Sequence, residues 1–76
     1  MHPEQIKQLI LAGMSCAHLS LDGDGQHFEA VVVSDEFAGL SRVKRQQRVY
    51  QTLQDMLASG ELHAISFKTL TPEEWS

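Results

Sequence analysis

The 76-residue chain has a single cysteine, Cys16, and only six basic residues against ten acidic ones. It also lacks any apolar run near the ~20 residues that a membrane span requires. Each shortage excludes something. One cysteine cannot form an intramolecular disulfide, a CxxC redox pair or a zinc knuckle, and it fits a reducing cytoplasm. The start, Met1-His2-Pro3-Glu4-Gln5, has no basic region followed by an apolar stretch, so a secretory signal is not expected. A formal net charge of -4 argues against nonspecific nucleic-acid binding. Ser41 and Ser66 stand in no nucleophile motif, and no set of nucleophile, base and orienting group can be assembled. A chain this short buries roughly 60 % of the surface its unfolded form exposes, which leaves little material for an enzyme pocket with its own lid. The expectation is one cytoplasmic domain, residues 1–76, that binds or scaffolds rather than catalyses.

What is present reads as an ordered fold. Hydrophobic residues make up 42 % and charged residues 21 %, the balance of a globular domain rather than a disordered one. Pro3 suits the first turn of a helix, and Ile6, Leu9 and Ile10 follow at helical spacing, so a helix is predicted over about Pro3–Ala12 with Gly13 as its stop. Residues Cys16 to Asp22 alternate with period two, with Ala17, Leu19 and Leu21 on one face and Cys16, His18 and Ser20 on the other. Asp22-Gly23-Asp24-Gly25 is a turn cluster. Phe28 to Ser34 is a strongly β-prone run, so the two segments read as a hairpin. Phe37 and Leu40 anchor a connector, and Ser41 is a good N-cap for a long helix over about Arg42–Ser59. Its apolar stripe is Val43, Val49, Leu53, Met56 and Leu57, with Tyr50 at the edge and Gly60 as the stop. A third strand starts at His63 and ends at Phe67 or Leu70. Thr71 and Pro72 then match the cap and first position of a short helical turn, Glu73-Glu74-Trp75. The order α-β-β-α-β predicts an α+β fold with one sheet covered on one face by helices. The long helix is then a candidate right-handed crossover that brings the third strand parallel to the second.

The residues that carry chemistry are few. Neutral imidazole is a common metal ligand, and His63 and His27 each precede a predicted strand. Parallel strands that start at one sheet edge bring both histidines to one rim. The simpler alternative is two ordinary rim histidines. His18 falls on a sheet face, and His2 is terminal. Asp22-Gly23-Asp24-Gly25 resembles half of a calcium loop, but the twelfth position holds Val33, so a turn is the better reading. Arg42, Lys44, Arg45 and Arg48 gather four of the six basic residues at the start of the long helix. They are the candidate contacts for a nucleic-acid backbone or an acidic protein face, against the commoner alternative of a solvated helix surface.

Three blocks carry a family resemblance: Phe28-Glu29-Ala30-Val31-Val32-Val33-Ser34, the stretch from Phe37-Ala38-Gly39-Leu40-Ser41 through Arg48-Val49-Tyr50, and Leu62-His63-Ala64-Ile65-Ser66-Phe67-Lys68 followed by Thr71-Pro72-Glu73-Glu74-Trp75. Together they resemble the BolA family, most closely its small bacterial branch, over nearly the whole chain. The resemblance implies a class II KH-like fold, a three-stranded mixed sheet with helices packed on one face. It also implies a chain monomeric by itself that forms a heterodimer with a monothiol glutaredoxin of the CGFS type. In such complexes a [2Fe–2S] cluster is bridged, with thiolates from the glutaredoxin and glutathione and histidine from the BolA-like chain. His63 stands where the family's C-terminal ligand histidine stands. The family places its second histidine or cysteine in the loop between the first two strands. Here that loop has no cysteine, which leaves His27, with Asp24 as the alternative. Some members of the family are tied to transcription, and KH folds often bind nucleic acids. The GxxG loop with which KH domains clamp a backbone does not occur here.

Overall fold

The structure, a computed structural model, describes residues 2–23, 27–60, 62 and 64–75. The first helix, α1, spans Pro3–Gly13, with His2 Nδ1 accepting from the Glu4 N–H at 3.2 Å and Pro3 at the first helical position. Ile6 and Ile10 are fully buried on its inner face. The helix runs through Gly13 rather than stopping before it. The reason for glycine here is proximity, since a Cβ would lie 2.7 Å from Thr52 Cγ2.

Strand β1 spans His18–Gly23 and pairs antiparallel with β2, His27–Val33. The hairpin predicted from alternation is present, and the tip residues Asp24, Gly25 and Gln26 lie outside the described residues. The first strand begins later than Cys16 because the backbone of Ser15 bonds elsewhere. Its N–H donates to Glu36 Oε2 at 2.6 Å, and its carbonyl accepts from Ser34 Oγ at 2.5 Å. Ala17, which precedes the strand, is exposed, although its N–H still reaches Val33 O at 2.7 Å. Strand β3, Ala64–Leu70, takes the longer of the two predicted lengths and pairs parallel with β2, giving the order β1-β2-β3.

Register assigns the faces. Leu19 and Leu21 of β1, Phe28, Ala30 and Val32 of β2, and Ile65, Phe67 and Thr69 of β3 share the side that meets the helices. The core closes there with Ile6, Ile10, Phe37, Val49 and Leu53, none of which is exposed. Phe37 comes from a 3₁₀ turn at Asp35–Phe37, capped by Ser34 Oγ accepting from the Glu36 N–H.

The long helix departs from expectation. It is two helices, α2 at Arg42–Thr52 and α3 at Gln54–Ser59, joined at Leu53 with φ -113° and ψ 13°. Thr52 Oγ1 donates to Val49 O at 2.6 Å, at the carbonyl the helix ladder would offer to the Leu53 N–H. That N–H falls back one residue to Tyr50 O at 3.0 Å. Val43, expected in the apolar stripe, is 65 % exposed. Six residues at about 100° each place it some 120° around the helix from the buried Val49. Gly60 ends α3 in the left-handed conformation, φ 80°.

A last helix, α4, spans Pro72–Trp75. Its start is a reciprocal capping box, with Thr71 Oγ1 accepting from the Glu74 N–H and Glu74 Oε1 accepting from the Thr71 N–H. Trp75 stacks on His18 at 4.6 Å between ring centroids and 18° between planes. His18 belongs to the sheet face away from the core, opposite the fully buried Val33, which in turn pairs with Leu70. One end of that second face is therefore covered too.

Truncation of Phe37 removes a fully buried aromatic ring. The Phe37→Ala variant is expected to lose about 3–5 kcal/mol in urea unfolding, against less than about 0.5 kcal/mol for Val43→Ala. Comparable losses for the two would overturn the assignment of the α2 faces.

Candidate functional site

The rim at the start of β2 and β3 holds one of the sequence candidates, His27. His27 opens β2 on the face away from the core and pairs with Ala64, the residue that follows His63 in the chain. His63 and Asp24 themselves lie outside the described residues. His27 is exposed and lines a cleft of about 480 Å³ whose other walls include Phe28, Tyr50, Leu57 and Ile65. On its other flank it shares a second cleft, about 280 Å³, with Asp22 and Glu29. An imidazole thus stands between an apolar groove along α2 and an acidic strip of the open sheet face. Among the described residues no three histidine, cysteine, aspartate or glutamate side chains gather closely enough to hold a metal ion by themselves.

The remaining candidates for ligands are elsewhere. The N–H of Ala17, next to Cys16, donates to Val33 O at the end of β2, while His27 is at its start, six residues away. At about 3.3 Å per residue that separation is roughly 20 Å. The thiol is half-buried, and burial pushes its pKa up, reinforced by the Glu36 carboxylate and partly offset by Arg48. A neutral thiol held there is a poor nucleophile or ligand. His18 lies on a sheet face, as its place in the alternation implied, and Trp75 covers its ring.

The basic stretch is divided by the fold. Arg48 donates to Gly13 O at 2.9 Å and to Glu36 Oε1 at 3.0 Å, joining the end of α1 to the 3₁₀ turn. Arg45 donates through Nε to Leu40 O at 3.0 Å and through Nη1 to Glu74 Oε1 at 2.7 Å, with a longer contact to Thr69 O at 3.5 Å. These two guanidinium groups are engaged inside the fold. Arg42 and Lys44 are exposed and have no ion pair among the described residues. The four cations therefore form no single outward patch. Glu36 and Glu74 are the partners that sequence reading did not single out. The Thr71–Glu74 capping box was a usable signal for Glu74, whereas nothing local marked Glu36.

The architecture defines a small α+β domain with a mixed three-stranded sheet, helices on one face and a histidine-bearing rim at the strand starts. Comparison with known proteins is specific. A sequence profile of the BolA family, described as BolA-like protein, matches residues 5–74. The acid stress protein IbaG of Escherichia coli K12 is 38 % identical over 76 residues, covering 100 % of this chain and 90 % of that protein. The DNA-binding transcriptional regulator BolA of Haemophilus influenzae is 39 % identical over 67 residues, 88 % of this chain and 64 % of the relative. The structure of a BolA protein homologue from Coxiella burnetii superposes with a TM-score of 0.87 at 41 % identity, covering 99 % of this chain and 96 % of that one. The chain belongs to the BolA family.

The two buttressing carboxylates set a pH dependence. The Ser15 N–H, then the Arg48 guanidinium, hold the Glu36 carboxyl below its ordinary range against an opposing desolvation. The Thr71 N–H, then Arg45, do the same for Glu74. A carboxyl with a depressed folded-state pKa contributes stability that is present above its unfolded pKa and is lost as pH falls through the folded value. Thermal unfolding is therefore expected to show a melting temperature that drops on acidification below about pH 4.5, the ordinary glutamate value. Glu36→Gln should lower the melting temperature at pH 7 and flatten that drop. A variant with the wild-type acid profile would remove Glu36 from the account.

Proposed function

We propose that this protein is a non-enzymatic adaptor in iron–sulfur cluster assembly or trafficking, working with a monothiol glutaredoxin of the CGFS type. The reading is carried by one observation: the parallel pairing sets His27 opposite Ala64, one residue along the chain from His63. The donor chemistry agrees with a shared rather than a self-contained cluster. A [2Fe–2S] centre takes four ligands, usually thiolates. This chain's only thiol is half-buried at the far end of the sheet, so the chain supplies imidazole and another protein supplies sulfur. His63 is the principal ligand in this reading, with His27 favoured over Asp24 as its companion. Imidazole in place of thiolate makes a cluster less negative and raises its potential. The acidic strip of Asp22 and Glu29 beside His27 offers second-sphere acceptors that orient a ligating ring.

A nucleic-acid-binding regulator is the second reading, favoured by the name of the Haemophilus influenzae relative, a DNA-binding transcriptional regulator. The division of the basic stretch weakens it, because Arg45 and Arg48 make internal bonds and leave Arg42 and Lys44. Fewer phosphate contacts mean a shallower dependence of affinity on salt.

Mixing the protein with a glutaredoxin–glutathione cluster complex tests the first reading by visible absorption, circular dichroism and gel filtration. The expected result is a heterodimer whose cluster spectrum differs from that of the glutaredoxin homodimer. His63→Ala should return the spectrum toward the homodimer while the far-ultraviolet signal of the domain is retained. His27→Ala should give the smaller change of a secondary ligand. No complex and unchanged spectra with the wild-type chain would overturn the proposal. Salt-dependent DNA binding lost in Arg42→Gln/Lys44→Gln would favour the second reading instead.

A further inference from the structure

We propose that the cleft between the start of α2 and the outer edge of β3 is a phosphate-binding site. The cleft has a volume of about 310 Å³ and is lined by Arg42, Gln46, Phe67, Lys68, Thr69 and Leu70. Its chemistry follows from the strand edge. In an extended strand the N–H and C=O of one residue project to the same side. Leu70 O accepts from the Ser34 N–H at the end of β2, so Leu70 and its period-two partners direct their backbone groups inward. Ile65, Phe67 and Thr69 direct theirs outward, at a free edge of the sheet.

Side chains of α2 occupy the outward acceptors. Gln46 Nε2 donates to Phe67 O at 2.9 Å, and Arg45 Nη1 and Tyr50 Oη reach Thr69 O and Ile65 O at 3.5 Å. Among the described residues no acceptor takes the outward N–H groups of Phe67 or Thr69. Acceptors are consumed and donors are left. Two cations stand beside those donors, Arg42 from the first turn of α2 and Lys68 from the open face of the sheet. Both are exposed, and neither is ion-paired among the described residues. Neither α2 nor β3 carries an acid, and Glu74 of α4 is held by the Thr71 N–H and Arg45. At the start of α2 the Lys44 N–H is already taken, by Ser41 Oγ at 3.3 Å.

A cleft in which two cations and two backbone N–H groups outweigh the acceptors left open favours an anion. These donors come from the helix start, the strand edge and the sheet face, and so do not lie in one plane. A carboxylate presents two oxygens in a plane, whereas a phosphate presents oxygens tetrahedrally and can meet all three directions with charge-assisted bonds. The site is independent of the histidine rim and of the cluster reading. Two sources carry the group, a free phosphate ester and a nucleic-acid backbone.

Amide spectra of the ¹⁵N-labelled protein, titrated with inorganic phosphate at constant ionic strength, test the proposal. Saturable displacement of the Phe67 and Thr69 amide resonances is expected, and sodium acetate should fail to reproduce it. The Arg42→Gln/Lys68→Gln variant, changed at two exposed positions, should keep the rest of the amide pattern and bind phosphate at least about tenfold more weakly. Lys68→Gln alone should fall between. Tighter binding of a short single-stranded oligonucleotide than of a nucleoside monophosphate assigns the polymer as the source, and the reverse order assigns the free ester. No saturable shift, equal shifts with acetate, or wild-type affinity in both variants overturns the site.

Discussion

In the parallel pair of β2 and β3, Phe28, Ala30 and Val32 stand opposite Ile65, Phe67 and Thr69, and the core face of the sheet and the place of His27 both follow from that register. Side chains alternate with period two, so a slip of β3 by one residue would turn Ile65, Phe67 and Thr69 to solvent and bring Ser66 and Lys68 under the helices. The burial of Phe28, Ala30, Val32 and Phe67 fixes the register energetically, since each apolar side chain removed from water contributes on the order of 1–3 kcal/mol. The same register places His27 against Ala64, at the start of both strands. The histidine rim is thus a by-product of core packing.

The other end of the sheet is built differently. There Val33 and Leu70 pair on the face away from the helices, Trp75 stacks on His18, and Arg45 links Glu74 to the Leu40 carbonyl. Arg48 and Glu36 tie the end of α1 and Ser15 to the turn that carries Phe37. A domain of this size has a small core, and charge-assisted bonds to backbone carbonyls supplement it where the chain changes direction. These pairs are partly exposed and individually weak. Their value lies in closing several backbone groups at once. This use of Arg45 and Arg48 explains how a stretch rich in cations belongs to a surface with little net positive charge.

Much of the fold was legible because its signals are local. The alternation of Leu19 and Leu21, the β-branched run at Val31 to Val33, Pro3 and Pro72 at helix starts, and Ser41 and Thr71 as caps each report on a few neighbouring residues. What was not legible depends on a competition or on a distant partner. The break at Leu53 arises because the Thr52 hydroxyl takes a carbonyl from the helix ladder, and propensity alone gives no warning of it. Val43 has the hydrophobicity of a core residue but the wrong angular position once Val49 and Leu53 set the buried face. Gly13 was read as a helix stop, yet its reason is the approach of Thr52, thirty-nine positions along the chain. For the site, the convergence of His27 with the strand that follows His63 could be inferred from strand order. The internal partners of Arg45 and Arg48 could not, because a linear pattern of charge does not say which cations fold inward.

The free edge of β3 shows how these constraints combine. An edge strand exposes unpaired backbone groups and invites pairing with another chain. Here Gln46, Arg45 and Tyr50 lean from α2 onto the outward carbonyls of the edge, so a strand approaching from solvent finds its donors without acceptors. The protection is one-sided. A helix surface of glutamine, arginine and tyrosine supplies donors readily, and it leaves the N–H groups of the edge unmatched. Protection against strand addition and selectivity for an acceptor-only ligand are therefore the same structural fact. Arg42 and Lys68 add the sign of the charge. The register that buries Phe67 and Thr69 between them also determines which backbone donors such a ligand would meet.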